Sequence, residues 1–238
     1  MSGAMLSEAI AETAVSRAPS SPLPGKSARS KLKLRQARPG DAQSASHLLR
    51  EALTPRLADA VFGLGVEGGA TGHLEHLFAR SGTLWSFDLV TLAELEGQVV
   101  GLVSHAPWSE LARRYRSTLW SYLRVYGAWK ALRLLPRLRA LIRASPAVPA
   151  DHWFIPYLAV SQEHRGNGVA KALLESVHRR ADRRSSASSL YVLPENGAAR
   201  EFYQQAGYSD GTRAESQQLY ELAGTRGRLR MDRRVSGT

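Results

Sequence analysis

The sequence predicts a mixed α/β (α+β) fold, and three stretches carry that prediction. Leu158 to Leu174 reads as the end of a strand, a short basic loop with two glycines, and an amphipathic helix. Its apolar run closes at Leu158-Ala159-Val160. Ser161 to Arg165 break the pattern, and Val169, Leu173, Leu174 and Val177 then recur at helical spacing. Trp85 to Glu94 and Gln98 to Pro107 read as an antiparallel pair, with Glu96-Gly97 as the turn between them. Ser189 to Leu193 reads as a further strand, followed by a helix from Asn196 to Ala206.

The other elements follow in chain order. Residues 1–30 are small, polar and rich in Pro and Ser, the composition of a disordered tail. A domain is expected from 31 to 235. Lys31 to Arg38 alternate Leu32 and Leu34 with Lys33 and Arg35, as a first strand does. Pro39-Gly40-Asp41 is a turn, with Asp41 placed to cap a helix that carries Ala45, Leu48, Leu49 and Ala52 on one face. Thr54 to Gly72 has no clear pattern, and His73 to Ser81 reads as a second short helix.

Residues 108–150 form a basic helical insertion. From Ser109 to Ser145, Leu111, Tyr115, Leu119, Tyr122, Tyr126, Trp129 and Leu132 follow three-and-four spacing, and Pro136 is expected to split the helix into two segments. Nine Lys or Arg face one acid, Glu110, so this stretch holds +8 of the net +11. Three readings stay open for it: a packed helix pair with a solvated arginine face, a lid that recruits substrate, or an amphipathic helix on a membrane surface.

Asp151 to Val160 is expected as the central strand. Alternation puts His152, Phe154 and Pro156 on one face and Trp153, Ile155 and Tyr157 on the other. Pro156 removes a ladder donor there, as a bulge does. Gly211 to Gly227 reads as loop, with room for a strand. Arg228 to Val235 alternates like a closing edge strand.

Composition narrows the function classes. The chain of 238 residues is long enough for one sizeable core. It has no cysteine, which excludes disulfides, thiolate metal sites and a Cys nucleophile, and which suits a cytoplasmic location. No apolar run approaches the roughly 18 residues of a membrane helix. A secretory signal is not expected, because Glu8 and Glu12 interrupt the N-terminal region. The net charge attracts anions.

The loop at 165–170 carries the chemistry. Backbone N–H groups and the positive end of the following helix converge there, so a phosphate or pyrophosphate is the natural guest. Gly166 and Gly168 let a ligand approach the backbone. Spacing excludes a Walker loop, since no GxxxxGK occurs. It also excludes a dinucleotide fingerprint, because Lys171 stands where Gly or Ala is required. What remains is Arg165-x-x-Gly168-x-Ala170. It resembles the acyl-CoA loop, R/Q-x-x-G-x-G/A, of the GCN5-related N-acetyltransferase (GNAT) superfamily. Asn196 to Tyr208 resembles the second signature of that superfamily, N-x-x-A-x-x-F-Y-x-x-x-G-F, with Tyr208 in place of the final Phe.

The resemblance implies a GNAT acyl-CoA N-acyltransferase fold: a central mixed, mostly antiparallel sheet with flanking helices and, here, a helical insertion. It implies acetyl-CoA as cosubstrate, an amine as acceptor, direct transfer in a ternary complex, and no metal. Backbone groups of Leu158, Ala159 and Val160 would lie along pantetheine. Those of Arg165, Gly166, Asn167, Gly168, Val169 and Ala170 would surround the pyrophosphate, with charge from Arg165 and Lys171. Asn196 matches a residue that bonds near the pantetheine arm. Arg200 is either a phosphate contact or a solvent-facing arginine.

Tyr203 matches the general acid of the family. A phenol with pKa about 10 donates to a thiolate whose conjugate acid lies at about 8.5. No dedicated base is evident, because Phe154, Pro156 and Tyr157 occupy the usual strand positions. His152, His105 and an unassisted water stay open as candidates. His105 has the further reading of a structural histidine. The arginines of the insertion favour an anionic acceptor. Nucleic acid is not the expected partner, peripheral membrane contact through 109–145 stays open, and monomer and homodimer are both compatible. A non-catalytic acyl-CoA sensor and a basic surface binder are the alternative functions.

Overall fold

The computed structural model describes residues 32–62 and 68–235, so the tail reading for 1–30 lies outside the described residues. The elements run β1 (Leu32–Gln36), α1 (Ala42–Leu53), α2 (Pro55–Phe62), α3 (Gly69–Phe78), β2 (Val90–Leu95), β3 (Gln98–Pro107) and α4 (Trp108–Arg143). Then follow β4 (Trp153–Val160), α5 (Val169–Asp182), β5 (Ser188–Val192), α6 (Gly197–Gln205), β6 (Ser209–Glu215), α7 (Gln217–Ala223) and β7 (Gly227–Arg233).

One seven-stranded sheet has the order β1-β2-β3-β4-β5-β7-β6. Every neighbouring pair is antiparallel except β4 and β5. The mixed, mostly antiparallel sheet with flanking helices is therefore the observed architecture. The β2–β3 hairpin turns at Glu96 (φ 52°) and Gly97 (φ 84°), both left-handed as a tight hairpin requires.

Apolar residues divide over the two faces. Val169, Leu173, Leu174 and Val177 of α5 bury against Trp153, Ile155 and Val160 of β4 and Leu190 of β5. Across the sheet, Leu48 and Leu49 of α1, Phe62, Leu74 and Phe78 pack on Leu92, Leu102 and Ala159. Truncating a fully buried side chain such as Leu173 to Ala costs about 2–5 kcal/mol.

Several expectations are corrected. Asp41 does not cap α1 with its side chain. Its carboxylate is taken by Arg35 at 2.7 and 2.8 Å and by the Arg38 N–H at 2.7 Å. The Arg35 guanidinium also binds Glu94 and holds the Asp41 carboxyl below the usual range. α4 runs unbroken through Pro136. Pro136 and Leu132 both face solvent, so the Leu132 carbonyl that loses its partner can bond water instead. Leu132 is 57% exposed and thus leaves the expected apolar stripe, whereas Leu111 and Tyr122 are buried. The side chains of Leu119, Tyr126 and Trp129 lie outside the described residues. Residues 211–227 are mostly regular, in β6 and α7. β7 is an interior strand between β5 and β6, because β6 returns to cover its outer edge. Among the described residues, no helix is long and apolar enough to cross a membrane.

His105 lies within the sheet with three side-chain partners. It is buried on β3 between Trp153 Nε1 (3.3 Å to Nδ1), Arg180 Nη1 (2.8 Å to Nε2) and Thr91 Oγ1 (3.2 Å to Nε2). Burial, with Arg180 beside it, pushes its pKa down to about 3; burial and Arg233 lower His178 to about 4. In the unfolded chain both take up a proton near about 6.5, so below that pH the unfolded state binds more protons. Stability is therefore full above pH ~6.5 and declines as pH falls from there toward 4. Thermal melts from pH 7 to pH 4 are expected to lose several degrees, with a shallower loss in His178→Gln. A melting temperature constant from pH 7 to 5 contradicts this.

Candidate active site

The site begins with an irregularity in β4. Tyr157 pairs with Ser104 but Phe154 with Ala106, so β4 uses three residues where β3 uses two. The bulge falls at Ile155-Pro156, where proline supplies no ladder N–H. It also corrects the expected alternation. Trp153 and Ile155 pack toward α5, whereas Tyr157 turns to the other face and stacks on Trp85 at 4.7 Å.

Beyond the bulge, β4 and β5 part. Their parallel pairing covers only Trp153, Phe154 and Ile155. The Ser161 N–H donates to Val100 O on β3, so by alternation Leu158 and Val160 direct their backbone groups into the gap. The Val160 carbonyl there accepts from Arg165 Nε at 3.1 Å.

The glycine loop closes the far end of the gap. Gly166 (φ 78°) and Gly168 (φ 77°) are left-handed, and a Cβ on either would meet nothing. Glycine is thus required by conformation rather than by crowding. The first bond of α5 runs from Ala172 N to Gly168 O at 3.0 Å. The N–H groups of Val169, Ala170 and Lys171 precede that bond and have no partner within the helix. Gly166, Asn167, Gly168 and Lys171 are exposed. Arg165 is less free, because its Nη2 pairs with Glu51 at 3.2 Å. A cleft of about 490 Å³ lies between α5 and α6, lined by Lys171, His178, Phe202 and Arg233 among others.

α6 is set by Asn196, whose Oδ1 accepts from Ala199 N at 3.0 Å. That cap aligns Phe202 and Tyr203 toward the core that holds Leu158, Val160, Val169 and Ala170. Tyr203 is half-buried, with its ring edge-on to Phe202 (5.2 Å) and Tyr208 (5.8 Å). Burial pushes its phenol pKa up. Arg200 is ion-paired with Asp210.

His152 stands just ahead of β4, away from the loop. Its Nδ1 lies 2.5 Å from Ser189 Oγ, which lies 2.6 Å from Asp232 Oδ1. The single Ser189 proton goes to the carboxylate, so Nδ1 carries a proton, and in the neutral imidazole Nε2 is the nitrogen with the lone pair. Ser189 and Asp232 were not legible in the sequence as partners of His152, nor was the placing of Tyr191 and Arg228 nearby. Alternation along Arg228, Arg230 and Asp232 shows that they share a face, but not which strands flank them. Among the described residues, no group of three His, Asp or Glu is arranged to hold a metal ion.

A mixed sheet that splays at one parallel pair, with a glycine loop and a helix N-terminus at the mouth, defines an acetyltransferase fold. The chain belongs to the acetyltransferase (GNAT) family, whose model matches residues 72–208. That span includes both signatures.

Solved structures agree on the fold. One described only as an acetyltransferase covers 86% of this chain and 100% of its own at 19% identity, with a TM-score of 0.63. An N-acetyltransferase from Staphylococcus aureus Mu50 covers 84% and 99% at 16% identity, TM-score 0.64. A Corynebacterium glutamicum protein described as histone acetyltransferase HPA2 and related acetyltransferase covers 87% and 98% at 18% identity, TM-score 0.55. No curated protein matches the chain.

Proposed function

We propose that this protein is an N-acetyltransferase that transfers acetyl from acetyl-CoA to an amine by direct attack in a ternary complex. The observation that carries this is the stretch of β4 that no strand covers on its β5 side, leading to N–H groups of α5 that have no partner within the helix. Leu158 and Val160 offer backbone bonds to an extended amide chain such as pantetheine. Gly166 to Lys171 offer N–H groups and the helix dipole to a pyrophosphate. Arg165 serves the loop as a brace between Val160 and Glu51, and Lys171 supplies the exposed charge.

Amine attack on a thioester needs a proton removed from nitrogen and one returned to sulfur. Tyr203 returns the proton. His152 Nε2 removes one, held in that tautomer by Ser189 and Asp232 as positioning residues. His152 lies three residues, roughly 10 Å, before the last paired residue Ile155, so it works through water.

A screen of amines for thiol release from acetyl-CoA tests the proposal. Failure of every amine class, with acetyl-CoA bound, would leave a sensor instead. With an active amine in hand, His152→Gln is expected to lower kcat/KM by about 10²-fold or more. Ser189→Ala should lower it less, because Nε2 remains and only its orientation is lost. Wild-type kcat/KM in His152→Gln removes it as the base.

A further inference from the structure

The gap between β4 and β5 opens, on the face away from α5, onto a cluster of aromatic rings around one arginine. Tyr157 stands two residues past the end of the parallel pairing on β4. On the other side stands Arg228, next to Leu229, which pairs with Val192 at the end of β5. The guanidinium sits 5.6 Å from the centre of the Tyr191 ring. Tyr191, Phe154, Trp108 and Tyr115 continue as edge-on neighbours at 4.8, 5.3 and 6.4 Å.

The polar groups of this cluster are under-used. Arg35, Arg114, Arg165, Arg230 and Arg233 each pair with a carboxylate. Arg228 is half-buried and pairs with none among the described residues. Of its several N–H donors, Nη1 alone has a partner there, Ser145 Oγ at 3.3 Å. The hydroxyls of Tyr157 and Tyr115 make no hydrogen bond among the described residues, whereas that of Tyr191 is tied to the Pro146 carbonyl. Burial pushes the phenols of Tyr157 and Tyr191 up, and Arg228 acts in the opposite direction on both and on Tyr115, which is 47% exposed, so one charge serves all three.

A half-buried guanidinium flanked by unpartnered phenols fits a planar anion, because its fork matches a carboxylate with two parallel bonds. We propose that Arg228, with Tyr157 and Tyr115, binds the carboxylate of an acceptor that carries its amine and a carboxylate on one small molecule. The aromatic wall takes the acceptor's apolar body. This assignment rests on the N-acetyltransferase reading, and names the substrate class of that site.

The test uses product analogues and needs no turnover. Melting temperatures of the full-length protein are measured with N-acetylglycine, N-acetylleucine and N-acetylphenylalanine, and with the matching carboxamides, each with and without CoA. At least one carboxylate should stabilise the protein, with affinity about tenfold or more above its amide. Arg228→Gln should abolish that preference and Arg228→Lys weaken it, while the shift caused by acetyl-CoA stays at wild type in both. Equal affinity for acid and amide, no stabilisation by any of them, or an intact preference in Arg228→Gln overturns the proposal. So does tighter binding of phosphoethanolamine than of every carboxylate. Absence of an acetyl-CoA shift in the wild type would instead refute the cosubstrate reading. The acid-to-amide ratio without CoA would still report on Arg228.

Discussion

Tyr203→Phe is expected to lower the single-turnover rate of acetyl transfer by about 10²- to 10⁴-fold and to leave acetyl-CoA affinity unchanged. The ring packs edge-on against Phe202 and Tyr208, and phenylalanine keeps those contacts. What the substitution removes is the proton donor. Burial raises the phenol pKa, so the group holds its proton through the neutral and alkaline range. The same burial makes a thiolate formed beside it a stronger base, which preserves the driving force for transfer. Activity should therefore not fall between pH 8 and 10 through ionisation of Tyr203. Single-turnover conditions matter, because slow product release would conceal the defect in steady state. A wild-type single-turnover rate in Tyr203→Phe would end the assignment.

Gly168→Asp is expected to abolish stabilisation by acetyl-CoA. For the wild type, a concentration 100 times the dissociation constant should add about 2.7 kcal/mol. Gly168 is the N-cap of α5 at φ 77°, and a side chain there meets no neighbour. The variant should fold: the left-handed conformation costs about 1–2 kcal/mol, partly returned by a carboxylate at the helix N-terminus. That same carboxylate occupies and repels the position proposed for the pyrophosphate. Gly168→Ala carries the conformational cost without the charge and should retain part of the shift. NAD and ATP should shift the wild type much less than acetyl-CoA does. An undiminished acetyl-CoA shift in Gly168→Asp removes the loop from the site.

Local pattern alone revealed much of the fold. The α5 face of Val169, Leu173, Leu174 and Val177 is read from spacing, and all four are buried. Glu96-Gly97 demands a tight turn and makes one. Arg165-x-x-Gly168-x-Ala170 places two glycines where the backbone is left-handed, and Pro156 marks the bulge. These features depend on period, on φ or on a missing N–H, all of which belong to neighbouring residues. Partners far apart in the chain were not legible. Arg165 reads as a phosphate ligand in sequence, yet Glu51, 114 positions away, pairs with it. β7 reads as an edge strand until β6 pairs with its outer side. The continuity of α4 depended on Pro136 facing water rather than the core. Likewise, Arg228 is one arginine among many until the sheet sets it beside Tyr191, across the gap from Tyr157, without a carboxylate partner among the described residues. Sequence determined most of the elements and the loop, because those obey local geometry, but it left α2, β6 and α7 unread. The tertiary structure alone decided strand order, charge pairing and the open polar cluster, because each depends on which distant segments burial brings together.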